Sequence, residues 1–192
     1  MTPASPTAPG KPELRRQMRR ALGALTPAER AAKSAAILQR LFARDEFKAA
    51  RTIMAYASFG TEVETREVLR RCIENKQRLL LPRIDVSDNS MRAHVVADVS
   101  RDLAAHALGF LEPRCDAPQA AADEIDLIIV PGLAFTAQGV RLGRGQGYYD
   151  RFLASTSALR IGLAFDIQIL PEIFFEAHDQ PVNAVLTESA VY

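Results

Sequence analysis

Apolar residues recur every three or four positions early in the chain. Leu14, Met18, Leu22 and Leu25 form one stripe, and Ile37, Leu38, Leu41 and Phe42 form another. That period predicts two amphipathic helices. The first runs from Lys11 to Leu25, with Pro12 in its opening turn, where an N–H has no partner to lose. The second begins at Thr26-Pro27, with Glu29 placed to complete a capping box, and ends near Arg44. Beyond Arg51 the pattern changes to short apolar runs. Thr52 to Ala57 predicts a buried strand, Ser58 to Glu64 a loop, and Thr65 to about Asn75 a helix. Leu79 to Leu81 predicts a short strand stopped by Pro82, and Met91 to Val96 a weakly alternating one. Ile125 to Val130 is apolar almost without interruption, as a central strand covered on both faces should be. Arg160 to Phe165 and Ala184 to Leu186 complete the set. Strands alternating with helices predict an α/β fold: a single domain with a mostly parallel central sheet flanked by helices on both faces. Its limits are expected at residues 11–192, after a disordered tail at residues 1–10 that is rich in Pro, Thr and Ala. The Pro- and Ala-rich stretch from Glu112 to Asp123 reads as a surface excursion within that domain.

Composition narrows the function classes without naming one. The chain has 192 residues, 48% hydrophobic and 24% charged, as ordinary soluble domains do. Its 24 Lys and Arg nearly cancel 23 Asp and Glu, for a net charge of +1. A broad polyanion-binding surface is therefore not expected, nor is a nucleic-acid partner, and any anion site must be local. No apolar run approaches the roughly 20 residues of a membrane span, and the first residues lack the basic start of a signal peptide. A cytoplasmic protein without a membrane partner is expected. The two cysteines, Cys72 and Cys115, make neither a disulfide framework nor a zinc pair. Cys72 lies on an apolar helix face and reads as a buried thiol. Charge does segregate locally: Lys11, Arg15, Arg16, Arg19 and Arg20 crowd the first helix, either as a solvated face or as an anion contact.

Chemistry concentrates where the strongest strand ends. From Pro131 the chain reads PGLAFTAQGVRLGRGQGYYDR, to Arg151. Gly143, Gly145 and Gly147 alternate, so backbone amides can turn to one centre without side chains in the way. A helix expected near Tyr148 adds its positive end, and Arg141 and Arg144 add charge. Together they resemble a phosphate cradle, although the pattern is neither a P-loop nor a dinucleotide fingerprint. Asp150 could hold Mg²⁺ through oxygen or water. Glu62 and Glu64 follow the first strand. Either one is a helix-entry acid, or a carboxylate gripping the N–H groups of a heterocycle. His178-Asp179 reads as a turn with a capping Asp. A sugar-phosphate isomerase or coenzyme A transferase relative, and a nucleic-acid-binding module, are the rival readings.

The residues that make the chain recognisable are Lys11-x-x-Leu14-Arg15, Glu64-Thr65, Leu81-Pro82 with Met91, Glu112-Pro113, and the run from Ile125 through Phe135 to Arg141-Leu142-Gly143-x-Gly145-x-Gly147-Tyr148-Tyr149-Asp150. In these the chain resembles the 5-formyltetrahydrofolate cyclo-ligase (5,10-methenyltetrahydrofolate synthetase) family, from Lys11 to about Glu188. The resemblance implies a single α/β domain that turns 5-formyltetrahydrofolate and MgATP into 5,10-methenyltetrahydrofolate, ADP and phosphate. It implies catalytic roles for Arg144 and Tyr148. It implies ATP contacts from Lys11, Arg15 and Arg141, and from the loop Gly143, Arg144, Gly145, Gln146, Gly147, Tyr148 and Tyr149. Folate contacts are implied for Phe59, Glu64, Arg144, Gly145, Gly147 and Tyr148, and Mg²⁺ contacts for Asp150 and Asp179. A monomer is expected. Three positions depart from the family pattern: Thr136 and Asn183 stand where Asp is frequent, and Gln146 stands where a cation is frequent. Phosphate neutralisation is therefore expected to rest more on Arg144, and metal contact on Asp179.

Overall fold

The computed structural model describes residues 9–106 and 109–192. Residues 1–8 of the expected tail lie outside the described residues. In chain order the elements are α1 (Lys11–Ala24), α2 (Pro27–Ala43), α3 (Asp45–Ala49), β1 (Thr52–Met54), α4 (Arg66–Glu74), β2 (Arg78–Asp85), β3 (Ser90–Val95), β4 (Leu103–Ala105), β5 (Leu111–Pro113), β6 (Gln119–Ala120), β7 (Leu127–Val130), β8 (Ala134–Phe135), β9 (Arg141–Leu142), α5 (Tyr148–Leu153), β10 (Leu159–Leu163) and β11 (Ala184–Leu186).

The two apolar stripes form helices as their period requires. Leu14, Met18 and Leu22 of α1 are buried, and so are Ile37, Leu38 and Leu41 of α2. Thr26 caps α2: the Glu29 amide donates to its hydroxyl, and the Thr26 amide donates to the Glu29 carboxylate. The chain then turns at an extended Arg44 and restarts as α3, which carries Phe47 into the core. Five residues are too few to show a period, so this helix was not legible in the apolar pattern.

Seven strands form one sheet in the order β11-β10-β7-β1-β2-β3-β6. The first five run parallel, and β3 and β6 are antiparallel additions at one edge. Both faces are covered, because side chains alternate along each strand. Ile53, Leu127, Ile129 and Ile161 pack beneath α1, α2 and α4. Met54, Ile128, Val130 and Val185 pack with Phe152 and Leu153 of α5. Cover is uneven: α5 is only a six-residue helix, and much of its side of the sheet is closed by loops.

Pro82 does not stop β2 as expected. The Leu80 carbonyl accepts from the Ala55 amide, so Leu80 faces β1. By alternation, the edge where Pro82 lacks an N–H is the same one. The ladder with β1 ends at Met54↔Leu80, so no β1 carbonyl waits for that donor, and β2 continues against β3 to Asp85. The first strand is shorter than its apolar run, because Ala55 to Ala57 leave the sheet for a loop. The stretch expected as an irregular excursion contributes the end of β5 and all of β6.

The strand order reverses direction at β1: β2 follows on one side, and β7 lies on the other. In open α/β sheets a crevice forms beyond the carboxyl ends of strands at such a point. The loops leaving β1 and β7 therefore face one another.

Candidate functional site

A cavity of about 420 Å³ opens at that crevice. Tyr56, Ala57, Phe59 and Glu62 line it from the loop after β1. Pro131, Gly132 and residues 141–150 line it from the segment after β7. Helix α1 closes a third side with Lys11, Arg15 and Arg19, which lie four residues apart and so share one helix face.

Each cation of the cavity meets a specific environment. The Lys11 ammonium donates at 2.6 Å to Glu176 Oε2 and at 2.6 Å to Asp179 Oδ2. Burial works against the Lys11 charge, but hydrogen bonds to Asp179 and Glu176 outweigh it and lift its pKa above the usual value. Burial likewise opposes the Asp179 charge, yet the hydrogen bond from Lys11 and that from the Glu176 amide hold its carboxyl below the ordinary range. Arg15 Nε donates to the Gly143 carbonyl at 3.0 Å, tying α1 to the glycine loop. Arg141 is almost fully buried and pairs with Asp150 Oδ1 at 2.6 Å. Its Nε is buried with no hydrogen-bond partner among the described residues. Arg144 pairs with Glu62 Oε1 at 2.7 Å, and its guanidinium lies 4.5 Å over the Phe59 ring. Arg19 has no ion pair among the described residues; Glu13, the acid nearest in sequence, is engaged by Arg16 and Gln17.

The glycine loop owes its shape to backbone that other residues resist. Gly145 has φ of +106° and Gly147 of +69°, left-handed values that cost a side-chain-bearing residue strain. Arg15 passes within 3.3 Å of where a Cβ on Gly145 would stand. Gly147 caps α5, but so short a helix supplies little dipole. The expected contribution from its positive end is replaced by the guanidinium groups.

Glu62, like Asp179, is a largely buried carboxylate of the cavity. Burial pushes its carboxyl above the ordinary value, with Arg144 opposing. Its charge also raises the hydroxyls of Tyr56 and Tyr149, both already pushed up by burial. Glu62 Oε2 accepts from the Phe59 amide at 3.1 Å, which leaves the group oriented across the pocket. Glu64, the acid expected to grip a heterocycle, is not brought to the cavity. Its side chain is exposed, and its amide donates to the buried Ser34 hydroxyl in the middle of α2. The placement has a simple cause: Val63 turns into the core, and its two acidic neighbours part company around it. Glu62, two residues earlier, is the acid that lines the cavity.

A second carboxylate cluster forms at the other end. Ligand atoms of Glu176, His178 and Asp179 lie within 4.8 Å of one another. Asp150 Oδ1 also accepts from the Gln180 amide at 3.4 Å, so it stands beside this group. Hard carboxylate oxygens already gathered around an ammonium are a donor set suited to Mg²⁺. The structure thus brings together Lys11, Arg15, Phe59, Arg141, Asp150, Asp179 and the loop from Gly143 to Tyr149, and leaves Glu64 outside. Glu176 and Tyr56 were not singled out from the sequence, and Arg19 only as one of the cations of the first helix. Their signal is tertiary: Glu176 meets Lys11 across 165 positions.

The sequence profile of the 5-formyltetrahydrofolate cyclo-ligase family matches residues 7–188. Among curated proteins, the 5-formyltetrahydrofolate cyclo-ligase of Mus musculus is 30% identical, over 92% of this chain and 93% of its own. That of Escherichia coli K12 is 28% identical, over 92% and 98%. The solved 5,10-methenyltetrahydrofolate synthetase of Aquifex aeolicus superposes with a TM-score of 0.84 at 30% identity, over 94% of this chain and 91% of that one. The synthetase of Mycoplasma pneumoniae shares the fold, with a TM-score of 0.76 at 22% identity. Profile, full-length relatives and fold agree with the glycine loop and the paired cations described above, and the chain belongs to the 5-formyltetrahydrofolate cyclo-ligase family.

Proposed function

We propose that the cavity seats ATP and 5-formyltetrahydrofolate side by side for an ATP-dependent cyclisation. The formyl oxygen on N5 attacks the γ-phosphorus, and ADP leaves. N10 then adds to the activated formyl carbon. Phosphate departs with that oxygen, N10 loses its proton, and 5,10-methenyltetrahydrofolate remains. An amide-like oxygen is a poor nucleophile and would be a poor leaving group as hydroxide. Phosphorylation solves the second problem, and positioning addresses the first.

One contact carries this reading. Arg144, on the glycine loop, reaches Glu62 on the opposite wall at 2.7 Å. A cation suited to a transferring phosphate and a carboxylate suited to pterin N–H groups therefore lie next to each other, as a reaction joining the two substrates requires. Lys11, Arg15 and Arg141, with the amides of Gly143, Gly145, Gln146 and Gly147, face the phosphates. Tyr148 and Tyr149 wall the cavity beside them. Glu62, in place of Glu64, holds the pterin. Asp179, Glu176 and Asp150 would hold Mg²⁺, which when bound screens phosphate charge. Lys11 must then move from its two carboxylates toward the nucleotide. A cavity built from one chain suits a monomer. No helix among the described residues is long and apolar enough to cross a membrane, and two free thiols suit a reducing compartment such as the cytoplasm.

The test is growth of methenyl absorbance on mixing protein, MgATP and 5-formyltetrahydrofolate, with product expected only when all three are present. Glu62→Ala should raise the KM for the folate, and Glu64→Ala should leave it near wild type. The reverse pattern would restore Glu64 to the pterin. Neither methenyl product nor ADP release from the unaltered protein with all three present would remove the reaction itself.

A further inference from the structure

Arg144 has two partners in the cavity, and binding of the folate removes one of them. If the pterin takes the Glu62 carboxylate, the Arg144–Glu62 bond is exchanged for a ligand contact. Arg144 is then a long, half-exposed side chain (43% exposed) flanked by Gly143 and Gly145, neither of which stiffens its backbone. Left to itself it would sample many rotamers, at a cost in freedom each time it had to meet a phosphate oxygen. The second partner remains available. The Phe59 ring lies 4.5 Å beneath the guanidinium, a distance at which a ring face attracts a cation.

That ring is itself held from behind. Phe110 packs against Phe59 with centroids 5.5 Å apart, and His106 stacks on Phe110 at 4.3 Å with planes 11° apart. The Phe59 amide donates to Glu62 Oε2, whereas Arg144 uses Oε1, so the folate can claim Oε1 while the amide keeps Oε2. The loop after β1 thus offers Arg144 a carboxylate that a ligand can claim and an aromatic face that it need not.

We propose that Phe59 is a positioning residue: its ring face holds the Arg144 guanidinium over the phosphate path once Glu62 has turned to the folate. This differs from the folate contact that the family resemblance implies for Phe59, because a face of the ring carries the arginine. The inference rests on the reading that Arg144 meets the transferring phosphate.

Progressive fluorination of the residue tests it, because fluorine drains charge from the ring face while nearly keeping its volume. Mono-, di- and trifluorophenylalanine placed at position 59 should lower kcat for methenyl formation stepwise, by about 2- to 30-fold in all, with the KM for the folate little changed. Phe59→Leu should fall at the bottom of that series, and Phe59→Tyr should stay near the top. In the background of Arg144→Ala the series should be flat, since the cation it acts through is gone. A flat series in the unaltered background, with Arg144→Ala still impaired, overturns the inference alone. So does a rise in folate KM at constant kcat, which would put the ring on the pterin. Full activity in Arg144→Ala would remove the role of Arg144 and the inference with it.

Discussion

Removing Asp150 should destabilise the protein before any question of catalysis arises. Arg141 is 3% exposed and Asp150 18%, with 2.6 Å between Nη2 and Oδ1. Without the carboxylate, Arg141 keeps one long contact to the Pro131 carbonyl at 3.4 Å, and its Nε has no partner already. The Gln180 amide also loses its acceptor. Breaking one side of a buried pair typically costs about 3–5 kcal/mol, because a charge is left in low dielectric. The partial exposure of Asp150 argues for the lower end, about 3 kcal/mol, after solvent screening. For a chain of this length that is a Tm lower by roughly 6–12 °C. Asp150→Ala should show it in thermal and urea unfolding followed by circular dichroism. Asp150→Asn, which keeps an acceptor oxygen, should lose less. The double variant Arg141→Met/Asp150→Ala should recover much of the loss, since no buried charge remains. If Asp150→Ala unfolds within about 0.5 kcal/mol of wild type, or the double variant is less stable than Asp150→Ala, the pair is not what organises this wall.

Three other outcomes follow from particular residues. Phe135 is fully buried, and its ring would stand 2.7 Å from a Cβ at Gly162 and 2.5 Å from one at Gly132; Gly162→Ala should cost about 1–3 kcal/mol by overpacking, and equal urea midpoints for variant and wild type would refute that. Lys11→Met should lower stability near neutral pH. Asp179, whose carboxyl is held below its ordinary value, contributes above about pH 4 and loses that contribution as pH falls through its folded pKa. Lys11, whose pKa is raised, contributes below its usual value and loses it as pH rises past the folded one. The two unfolding curves should therefore converge in acid, and a gap that persists there would mean that the lysine acts by packing alone. Burial pushes the Cys72 thiol up to about 12, while Cys115 is exposed. A thiol reagent at neutral pH should modify one cysteine in the native protein and two in denaturant; two at once would place Cys72 in solvent.

The parts of the fold that were legible are those set by local period. The α1 and α2 stripes and the unbroken apolar run of β7 declare burial on one face or on two, and the parallel sheet follows from their alternation. What was not legible depended on neighbours. Pro82 looks like a stop until one knows that β1 has already ended beside it. Among the site residues, the glycine loop could be read because its glycines, arginines and tyrosines are contiguous. Glu62 and Glu64 could not be separated, because both follow a strand and precede a helix. Only the inward turn of Val63 decides which acid faces the cavity. The Lys11 partners lie at the far end of the chain, where no local signal distinguishes Glu176 from an ordinary surface acid.

The ion pairs of the cavity have a consequence for how ligands are chosen. Four carboxylates and five cations line one small space, so the pocket carries its own counter-ions and repels itself little when no ligand is present. Binding is then an exchange of partners. At Lys11, Arg141 or Arg144 an incoming anion gains only the difference between its contact and the carboxylate it displaces, whereas Arg15 and Arg19 have no carboxylate to give up among the described residues. A stray sulfate or a simple phosphate ester can trade with one pair at little profit. A ligand set that supplies anions to the arginines and, in the same act, N–H donors or a divalent cation to the released carboxylates leaves no charge unmatched. On the proposed reading, the paired cations of the wall favour complete substrate pairs over single ions, without any lid to enforce the choice.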